Sequence, residues 1–439
     1  MTMKENELKP TLGIWSALAL IIGTIIGSGV FFKPASVLGE VGSANMALAA
    51  WAAGGILTIA AGLTIAEIGT QLPYTGGLYI YMSHIYGKVW GFLAGWMQII
   101  IYGPAIIASL SLYLAVLMVH FFGLGDQWQI PIAIIAAVSV MFLNMLNKRY
   151  GASAQIITTV CKLVPIAAII VFGLIQGDEA ALGQVLTQAT STTTGSFGVA
   201  ILATLYAYDG WILLSNMAGE LKNPQKLLPR AMTIGLLVVM FCYIMINLAI
   251  YKMLPADTII AEGEKAAPFV ATMLFGDIGG KLLNIAIIIS ILGCLNGKIM
   301  TFPRIVYAMA KENDLPFSKQ LAYVHPKANT PIVSIGIIML FSIIMMLFFD
   351  ADYLSVICIF VIYLFYVFAF IGVFIMRKRN KGVKLSYRVP LYPFTPIVAI
   401  LGSVYIIWSQ VAADLVGVAI SIGIVLIGLP LYWLIHRKD

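Results

Sequence analysis

Charged side chains are scarce in this chain of 439 residues, in which Asp, Glu, Lys and Arg together make up 10%. A soluble domain carries about 25% charged residues, so the scarcity argues against an ordinary soluble protein. Hydrophobic residues account for 61% of the chain. Apolar runs of about 20 residues, each long enough to cross roughly 30 Å of hydrocarbon, recur along its whole length. The composition predicts an all-α polytopic membrane protein.

Cysteine and histidine are also rare, with four of each. The histidines are scattered and lack the spacing of metal ligands. The cysteines all fall inside apolar runs, where we expect small buried hydrophobic residues; they are Cys161, Cys242, Cys294 and Cys358. We therefore expect no disulfide framework, no metal site and no cofactor.

Catalytic motifs are absent as well. The sequence contains no G-x-S-x-G, no H-E-x-x-H and no paired acids in the middle of an apolar run, which argues against an enzyme. A channel would need a repeated pore lining, and a sensor built on a transporter fold would normally carry an extra cytoplasmic domain.

Twelve spans are predicted from the apolar runs. They lie near residues 12–38, 45–70, 89–119, 130–147, 152–175, 197–219, 231–253, 282–303, 331–349, 353–376, 393–411 and 413–435. The predicted organisation is a tail at 1–11, a first repeat at 12–175, a second repeat at 197–376, two further helices within 393–435, and a tail at 436–439.

Lysine and arginine are distributed unevenly among the loops between these spans. One set of alternate loops, with both chain ends, holds 20 of them, and the other set holds 3. Positive residues concentrate on the cytoplasmic side of a membrane protein, so we expect both termini in the cytoplasm of a cell-membrane protein. This topology accounts for the net charge of +7, which does not indicate nucleic-acid binding. No cleavable signal peptide is evident before the first span.

Two spans contain residues that interrupt a helix. The first carries Gly27-Ser28-Gly29 near its middle, and the sixth carries Asp209-Gly210 within "LYAYDGW". The breaks are five spans apart, and an odd number of spans reverses direction in the membrane. This arrangement indicates an inverted five-plus-five repeat whose broken helices hold a substrate near the midplane. The alternative is that these glycines serve only close helix packing.

Unwinding a helix frees both kinds of backbone group. The amides of Ser28 and Gly29, with the Ser28 hydroxyl, would bind a carboxylate at the start of the second half-helix, and Gly27 would let the ligand approach closely. Freed carbonyl groups would bind an ammonium; we expect those of Ile25, Tyr206, Ala207 and Asp209. A ligand with both groups is an α-amino acid.

Lys162 lies deep inside the fifth span, about 16 Å beyond Gly151 at 1.5 Å per residue. An intramembrane lysine is functional by default. We expect its ammonium to bind backbone carbonyl groups between the first, fifth and eighth spans and to replace a sodium ion. A packing role and a proton-carrying role are the alternatives.

Other polar residues in the spans have less defined roles. Asp209 would either contact the substrate ammonium or cap the following half-helix, and the cap is favoured. Glu67 is expected either to snorkel to the membrane surface or to form a structural pair with a nearby cation, and Lys298 to reach cytoplasmic water. Lys33 would face an outer vestibule. Tyr206, directly before the second break, is placed to cover the bound substrate as a gate.

Several motifs resemble those of the amino acid–polyamine–organocation transporters. They are "GTIIGSGVF" in the first span, "AEIGTQLPYTGGLYIY" after the second, "FGVAILATLYAYDGWILLSNMAGELKNPQKLLPRA" at 197–231, and "NGKIMTFPRIVYAMAKENDLP" at 296–316. Within that family the chain looks closest to bacterial relatives of the L-type amino acid transporters, namely serine/threonine or alanine-serine-cysteine exchangers.

The resemblance implies ten core helices in an inverted repeat and sodium-independent exchange of small neutral L-amino acids by alternating access. It implies the same roles for the residues named above, although many relatives have glycine where Asp209 stands. Animal relatives bind a heavy chain through a cysteine after the third span; residues 120–131 contain none, so we expect a lone subunit. A proton-coupled symporter and a cationic amino acid antiporter of the same fold are the alternatives.

Overall fold

The computed structural model of the protein describes residues 10–146, 148–177 and 195–438. The predicted tail at 1–11 therefore lies mostly outside the described residues. The described residues form helices, turns and loops, and no β-strand occurs among them. Helices suit this composition because every backbone polar group in hydrocarbon must bond within its own segment.

The first eight helices cover the segment predicted as the first repeat. They are α1 (Ile14–Ile25), α2 (Gly29–Val41), α3 (Ala44–Gln71), α4 (Leu78–Tyr86), α5 (Lys88–Met97), α6 (Gly103–Phe122), α7 (Gln129–Leu146) and α8 (Lys148–Gln176). A π-helical turn at Gln98–Tyr102 joins α5 to α6, so that the two form one span.

The remaining helices follow in the second part of the chain. They are α9 (Phe197–Ala207), α10 (Leu213–Asn216), α11 (Pro224–Met253), α12 (Ala256–Glu262), α13 (Ala266–Thr301), α14 (Pro303–Lys311), α15 (Ser318–Leu321), α16 (Ile332–Phe348), α17 (Ala351–Arg379), α18 (Phe394–Ala413) and α19 (Leu415–Ile435).

In the described part of the chain, nine helical segments are long and apolar enough to cross a membrane, and the bent pair α1 and α2 makes a tenth. The apolar helices α9 and α16 are shorter. The multi-pass helical architecture is thus confirmed, whereas the count of twelve and the inverted repeat stay predictions.

The eighth predicted span differs most from the structure. Its predicted bounds are 282–303, but α13 begins at Ala266 and is interrupted at Gly276, whose φ of 69° lies in the left-handed region. Only glycine adopts that conformation without strain. The residues before Gly276 therefore form a separate helical arm, which the hydropathy pattern did not distinguish from a loop.

The two broken helices lie at the centre of the bundle. Helix α1 packs against α8, α11 and α13, and α2 packs against α9. The short α10 in turn contacts α1 and α13. Both breaks are therefore surrounded by protein, which is where non-helical backbone is tolerated at membrane depth.

Candidate functional site

The first helix is interrupted as the sequence predicted. Helix α1 ends at Ile25, α2 begins at Gly29, and their axes bend by 40°. The carbonyl groups at the end of α1 lack helical partners, and each accepts a hydrogen bond from a side chain of another helix. The acceptors and donors are Gly23 (Lys162, 2.9 Å), Thr24 (Cys294, 3.0 Å), Ile25 (Tyr243, 3.2 Å) and Ile26 (Lys162, 2.5 Å).

The second break directly contacts the first. Helix α9 ends at Ala207, and Gly210 adopts a φ of 124° before α10 begins. A Cβ atom on Gly210 would overlap the Thr24 carbonyl, and one on Gly29 would overlap the backbone of Ala207. Glycine at these two positions therefore allows the two unwound segments to touch.

A narrow cavity with room of about 10 Å³ lies between the breaks. Its lining includes the predicted residues Ile25, Gly27, Ser28, Gly29, Tyr206 and Asp209, together with Thr24, Ile106, Leu110, Cys294 and Lys298. Ala207 and Lys162 are not in this lining. They contact the break from behind, through Gly29 and through the carbonyl groups of Gly23 and Ile26 respectively.

Tyr206 separates this cavity from a larger vestibule. The vestibule, with a volume of about 640 Å³, is lined by Lys33, Asp352 and Tyr206 among others, so Tyr206 borders both spaces. Its hydroxyl lies 2.8 Å from the Ser109 hydroxyl and 3.5 Å from that of Ser28. These contacts hold the phenol across the passage.

Lys162 is fully buried, and its ammonium donates to the backbone carbonyl groups of Gly23 and Ile26 at the first break. On the same face of α8, one and two turns earlier, Thr159 and Gln155 contact the Ala19 carbonyl at 3.0 and 3.4 Å. The three side chains join α8 to α1. The position of Lys162 is thus the one expected for a cation between carbonyl groups, and its role stays a prediction.

Asp209 does not cap α10. Its carboxylate accepts a hydrogen bond from Tyr102 at 2.6 Å and forms an ion pair with Lys298 at 2.5 Å. Lys298 is 1% exposed, so the expectation that it reaches cytoplasmic water is wrong. A buried carboxylate needs a partner charge more than a helix end needs a cap, and Lys298 from α13 provides it.

Lys33 lies on the vestibule side of Tyr206. Its ammonium bonds Asp352 at 2.8 Å and the Tyr113 hydroxyl at 3.2 Å, and it lies 5.4 Å from the centre of the Tyr206 ring. The contacts join α2 to α17. Glu67, by contrast, is remote from the cavity and makes two 2.6 Å hydrogen bonds with Arg377, in line with the structural pair expected for it.

The opposite side, where α1 begins, is closed by packing. The amides of Thr11 and Leu12 donate to the Glu220 carbonyl at 2.9 and 3.0 Å, and the Glu220 carboxylate pairs with Arg304 at 3.1 Å. Both charged side chains are at most 1% exposed. The cavity therefore has its nearest opening on the vestibule side.

The expectation that all four cysteines are buried is wrong for Cys161. Cys294 and Cys358 are buried, Cys242 is half-buried, and Cys161 is exposed on α8. Cys294 is buried as expected, and it also lines the cavity and donates to the Thr24 carbonyl. Tyr243 and the partnership of Lys298 with Asp209 also were not predicted; only the opposite charges of two intramembrane residues could have indicated the latter.

Comparison with known proteins agrees with this architecture. The amino acid permease family profile matches residues 12–435. The serine/threonine exchanger SteT of Bacillus subtilis is 54% identical over 439 residues, covering 100% of this chain and 99% of its own.

More distant relatives match over most of their length. The mouse b(0,+)-type amino acid transporter 1 is 30% identical, covering 94% of this chain and 85% of its own. The human cystine/glutamate transporter is also 30% identical, covering 98% and 86%. These matches confirm the resemblance inferred from the motifs: the chain belongs to the amino acid permease family.

Proposed function

We propose that the protein is a sodium-independent exchanger of small neutral L-amino acids that works by alternating access. The observation that carries this proposal is the cavity between two broken helices. The carbonyl groups freed at the first break face a lysine, Lys162, and do not belong to a set of metal ligands. The similarity to a serine/threonine exchanger over the whole chain supports the substrate class.

The cavity offers complementary groups for a zwitterion. The first turn of α2, at Ser28 and Gly29, has amide groups without intrahelical partners, which suit a carboxylate. The carbonyl groups of Ile25, Tyr206, Ala207 and Asp209 lie at the ends of α1 and α9 and would take the ammonium. The cavity is narrow, with room of about 10 Å³, and this favours a compact side chain.

The ion pair between Asp209 and Lys298 favours a neutral substrate over a cationic one. The Asp209 carboxylate already pairs with Lys298, and both side chains are at most 3% exposed. The pair contributes no net charge to the cavity wall. A cationic substrate would therefore find no unpaired acid among the residues that line this cavity.

Sodium independence rests on Lys162. Its ammonium lies between the carbonyl groups of Gly23 and Ile26, where a cation would otherwise stabilise the end of α1. A permanently bound ammonium removes the need for an ion. If Lys162 instead released its proton during the cycle, the protein would be a proton-coupled symporter, which is the second candidate.

We also propose the topology of twelve spans as an inverted repeat, with α9 and α16 completing the set of membrane helices. The basic loops place both termini in the cytoplasm, so the vestibule faces outward and Tyr206 is the gate beneath it. The absence of cysteine at 120–131 supports function as a lone subunit in the cell membrane.

Reconstitution in liposomes tests the proposal. Uptake of labelled L-serine without sodium should require unlabelled serine inside the liposomes. Equal uptake into empty liposomes that rises with an inward proton gradient would establish the symporter instead. No uptake of serine, alanine or threonine under either condition would exclude small neutral amino acids.

A further inference from the structure

The loop that joins α17 to α18 forms a basic surface. Residues 377–394, the basic loop, contain six basic residues and no acidic residue. Both helices are long and apolar enough to cross the membrane, so the loop between them lies at the bilayer surface. The six basic residues are Arg377, Lys378, Arg379, Lys381, Lys384 and Arg388.

The basic loop is held against the rest of the bundle. Arg377 forms two 2.6 Å hydrogen bonds with the Glu67 carboxylate, which also accepts one from the Val389 amide at 2.6 Å. The Arg377 guanidinium lies 3.7 Å from the centre of the Tyr392 ring. These contacts fix the backbone and use one basic side chain, whereas the other five basic residues of the loop are exposed.

Exposed apolar side chains accompany these positive groups. Leu391 is 79% exposed and Phe394 is 71% exposed. Arg379 donates to the His84 carbonyl at 3.4 Å, which brings the start of α5 beside the basic loop, and there Trp90 is 38% exposed. Tryptophan near the end of a membrane helix is typical of the headgroup level. The surface therefore combines positive charge with an apolar edge.

Two ordinary explanations cover only part of this charge. The carboxyl end of a helix favours cations in its last turn, which accounts for the three basic residues that end α17. Loops on the cytoplasmic side are generally basic, but the segment at 312–331 contains two acidic residues beside its two lysines. Neither explanation accounts for Lys381, Lys384 and Arg388, which follow one another without an acidic residue between them.

We propose that the basic loop binds the headgroup of an anionic phospholipid such as phosphatidylglycerol. In this arrangement the phosphate contacts the exposed lysines, and the acyl chains extend past Leu391 and Phe394 into the hydrocarbon. Clusters of basic residues directly beside a membrane helix attract anionic lipids. A soluble phosphate would gain nothing from the apolar edge, whereas a lipid uses both parts of the surface. The inference concerns the lipid around the carrier and does not depend on the transported substrate.

The experiment is thermal unfolding of the purified full-length protein in a neutral detergent with added lipid. A ligand of the folded state raises the melting temperature, so phosphatidylglycerol should raise it and phosphatidylcholine at the same mole fraction should not. The triple variant Lys378→Gln, Lys381→Gln and Lys384→Gln should need about tenfold or more phosphatidylglycerol for the same rise, because each lysine near the surface contributes to the attraction.

Two further variants define the surface. The matched control Lys222→Gln, Lys319→Gln and Lys327→Gln removes the same charge from exposed positions in two other connecting segments and should respond like the wild type. Leu391→Asn removes part of the apolar edge and should respond less to phosphatidylglycerol. Asparagine suits the left-handed φ of 53° at this position, so this variant keeps the test decisive if the triple variant does not fold.

Equal responses of the triple variant and its control would overturn the inference, as would equal rises with the two lipids. A full response of Leu391→Asn, or an equal rise with soluble glycerol phosphate, would also overturn it, because the surface would then be a simple anion site. None of these measurements involves transport. Failure of the lipid site and failure of the proposed exchange are therefore distinguishable.

Discussion

Among the described residues, three buried lysines lie inside the membrane-spanning bundle, and they have two kinds of partner. Lys162 bonds two carbonyl groups, Lys298 pairs with Asp209, and Lys33 pairs with Asp352. A charge at this depth is costly without such partners. The two kinds of partner predict different responses to mutation. Removing Lys162 leaves neutral carbonyl groups without a donor, whereas removing Lys298 or Lys33 leaves a carboxylate unpaired.

Removing the Lys162 ammonium should abolish exchange and leave insertion intact. Lys162→Ala deprives the Gly23 and Ile26 carbonyl groups of a charged donor, and two such hydrogen bonds are worth enough to slow exchange by about 100-fold. The measurement is serine counterflow in liposomes, with sodium or choline as the external cation. Partial recovery in sodium would identify the vacated place as a cation site.

Lys252→Ala is the matched control for this substitution, since Lys252 also donates to a backbone carbonyl, that of Leu174 at 2.9 Å, but does so away from the breaks. It should exchange at the wild-type rate. Wild-type exchange in Lys162→Ala, with a normal elution profile of the purified protein, would exclude the cation-substitute role.

The pair of Lys298 and Asp209 should behave as a unit. Removing one partner leaves a buried charge unpaired, at a cost of about 3–5 kcal/mol, so Lys298→Gln and Asp209→Asn should each lower the melting temperature. The double variant should recover most of the loss, which a double-mutant cycle measures. Additive losses would show that the two charges do not interact.

Lys298→Gln also tests selectivity. With Asp209 unpaired at the cavity wall, arginine and lysine should begin to compete with labelled serine, whereas they should not compete in the wild type. Failure of cationic amino acids to compete in this variant would mean that the ion pair does not determine the charge preference of the site.

The sequence indicated which residues form the breaks, but it did not indicate their partners. The breaks could be predicted from local signals, namely the glycines at 27, 29 and 210 and the isolated charge at 162. Each of these residues is unfavourable in a helix embedded in lipid. The hydroxyl of Tyr243 meets Ala207 across 36 residues, and Lys298 meets Asp209 across 89. Such pairings depend on the rotation of one helix against another, which a single sequence does not specify.

At the scale of helices, the contact between α2 and α9 depends on a missing side chain. A Cβ atom at Gly29 would overlap the backbone of Ala207, whereas one at Gly39, farther along α2, would meet no neighbouring atom. Overlap with backbone is relieved only by moving a helix. The two half-helices therefore form one packed unit around the cavity.

Gly29→Ala should separate these half-helices. We expect exchange to fall by about tenfold or more, because the carboxylate-binding amides and the ammonium-binding carbonyl groups would no longer be correctly spaced. Gly39→Ala, which places the same methyl group in open space on the same helix, should leave the exchange rate unchanged. Equal rates in the two variants would show that the close approach at Gly29 does not matter for transport.

Helix boundaries were predicted less well than helix identity. Most long apolar runs became the expected helices, because burying their backbone in hydrocarbon leaves no alternative. The exception is the arm before Gly276, which lies outside the predicted span because three glycines and two charged residues interrupt the apolar pattern at 276–281. Hydropathy does not distinguish a helix followed by such a break from a loop.

At the scale of the whole molecule, the two ends of the transport pathway differ. The vestibule beside Asp352 is open down to Tyr206, whereas buried contacts around Glu220 and Arg304 close the side where α1 begins. Alternating access requires these two closures to exchange. The structure thus corresponds to a carrier open toward the vestibule, and only the orientation of that vestibule in the membrane depends on the loop charges.

Labelling of single cysteines should establish this orientation. In a variant without native cysteines, Ser36→Cys on the exposed vestibule wall should react with a membrane-impermeant maleimide added to intact cells. Lys319→Cys, exposed beyond α14 on a predicted cytoplasmic loop, should react only after permeabilisation. Added L-serine should slow labelling at Ser36→Cys if substrate moves the carrier away from the open vestibule. If Ser36→Cys instead reacted only after permeabilisation and Lys319→Cys reacted in intact cells, the vestibule would face the cytoplasm. The orientation inferred from the basic loops would then be wrong, because the opening with its acidic border would lie on the side that basic loops normally occupy.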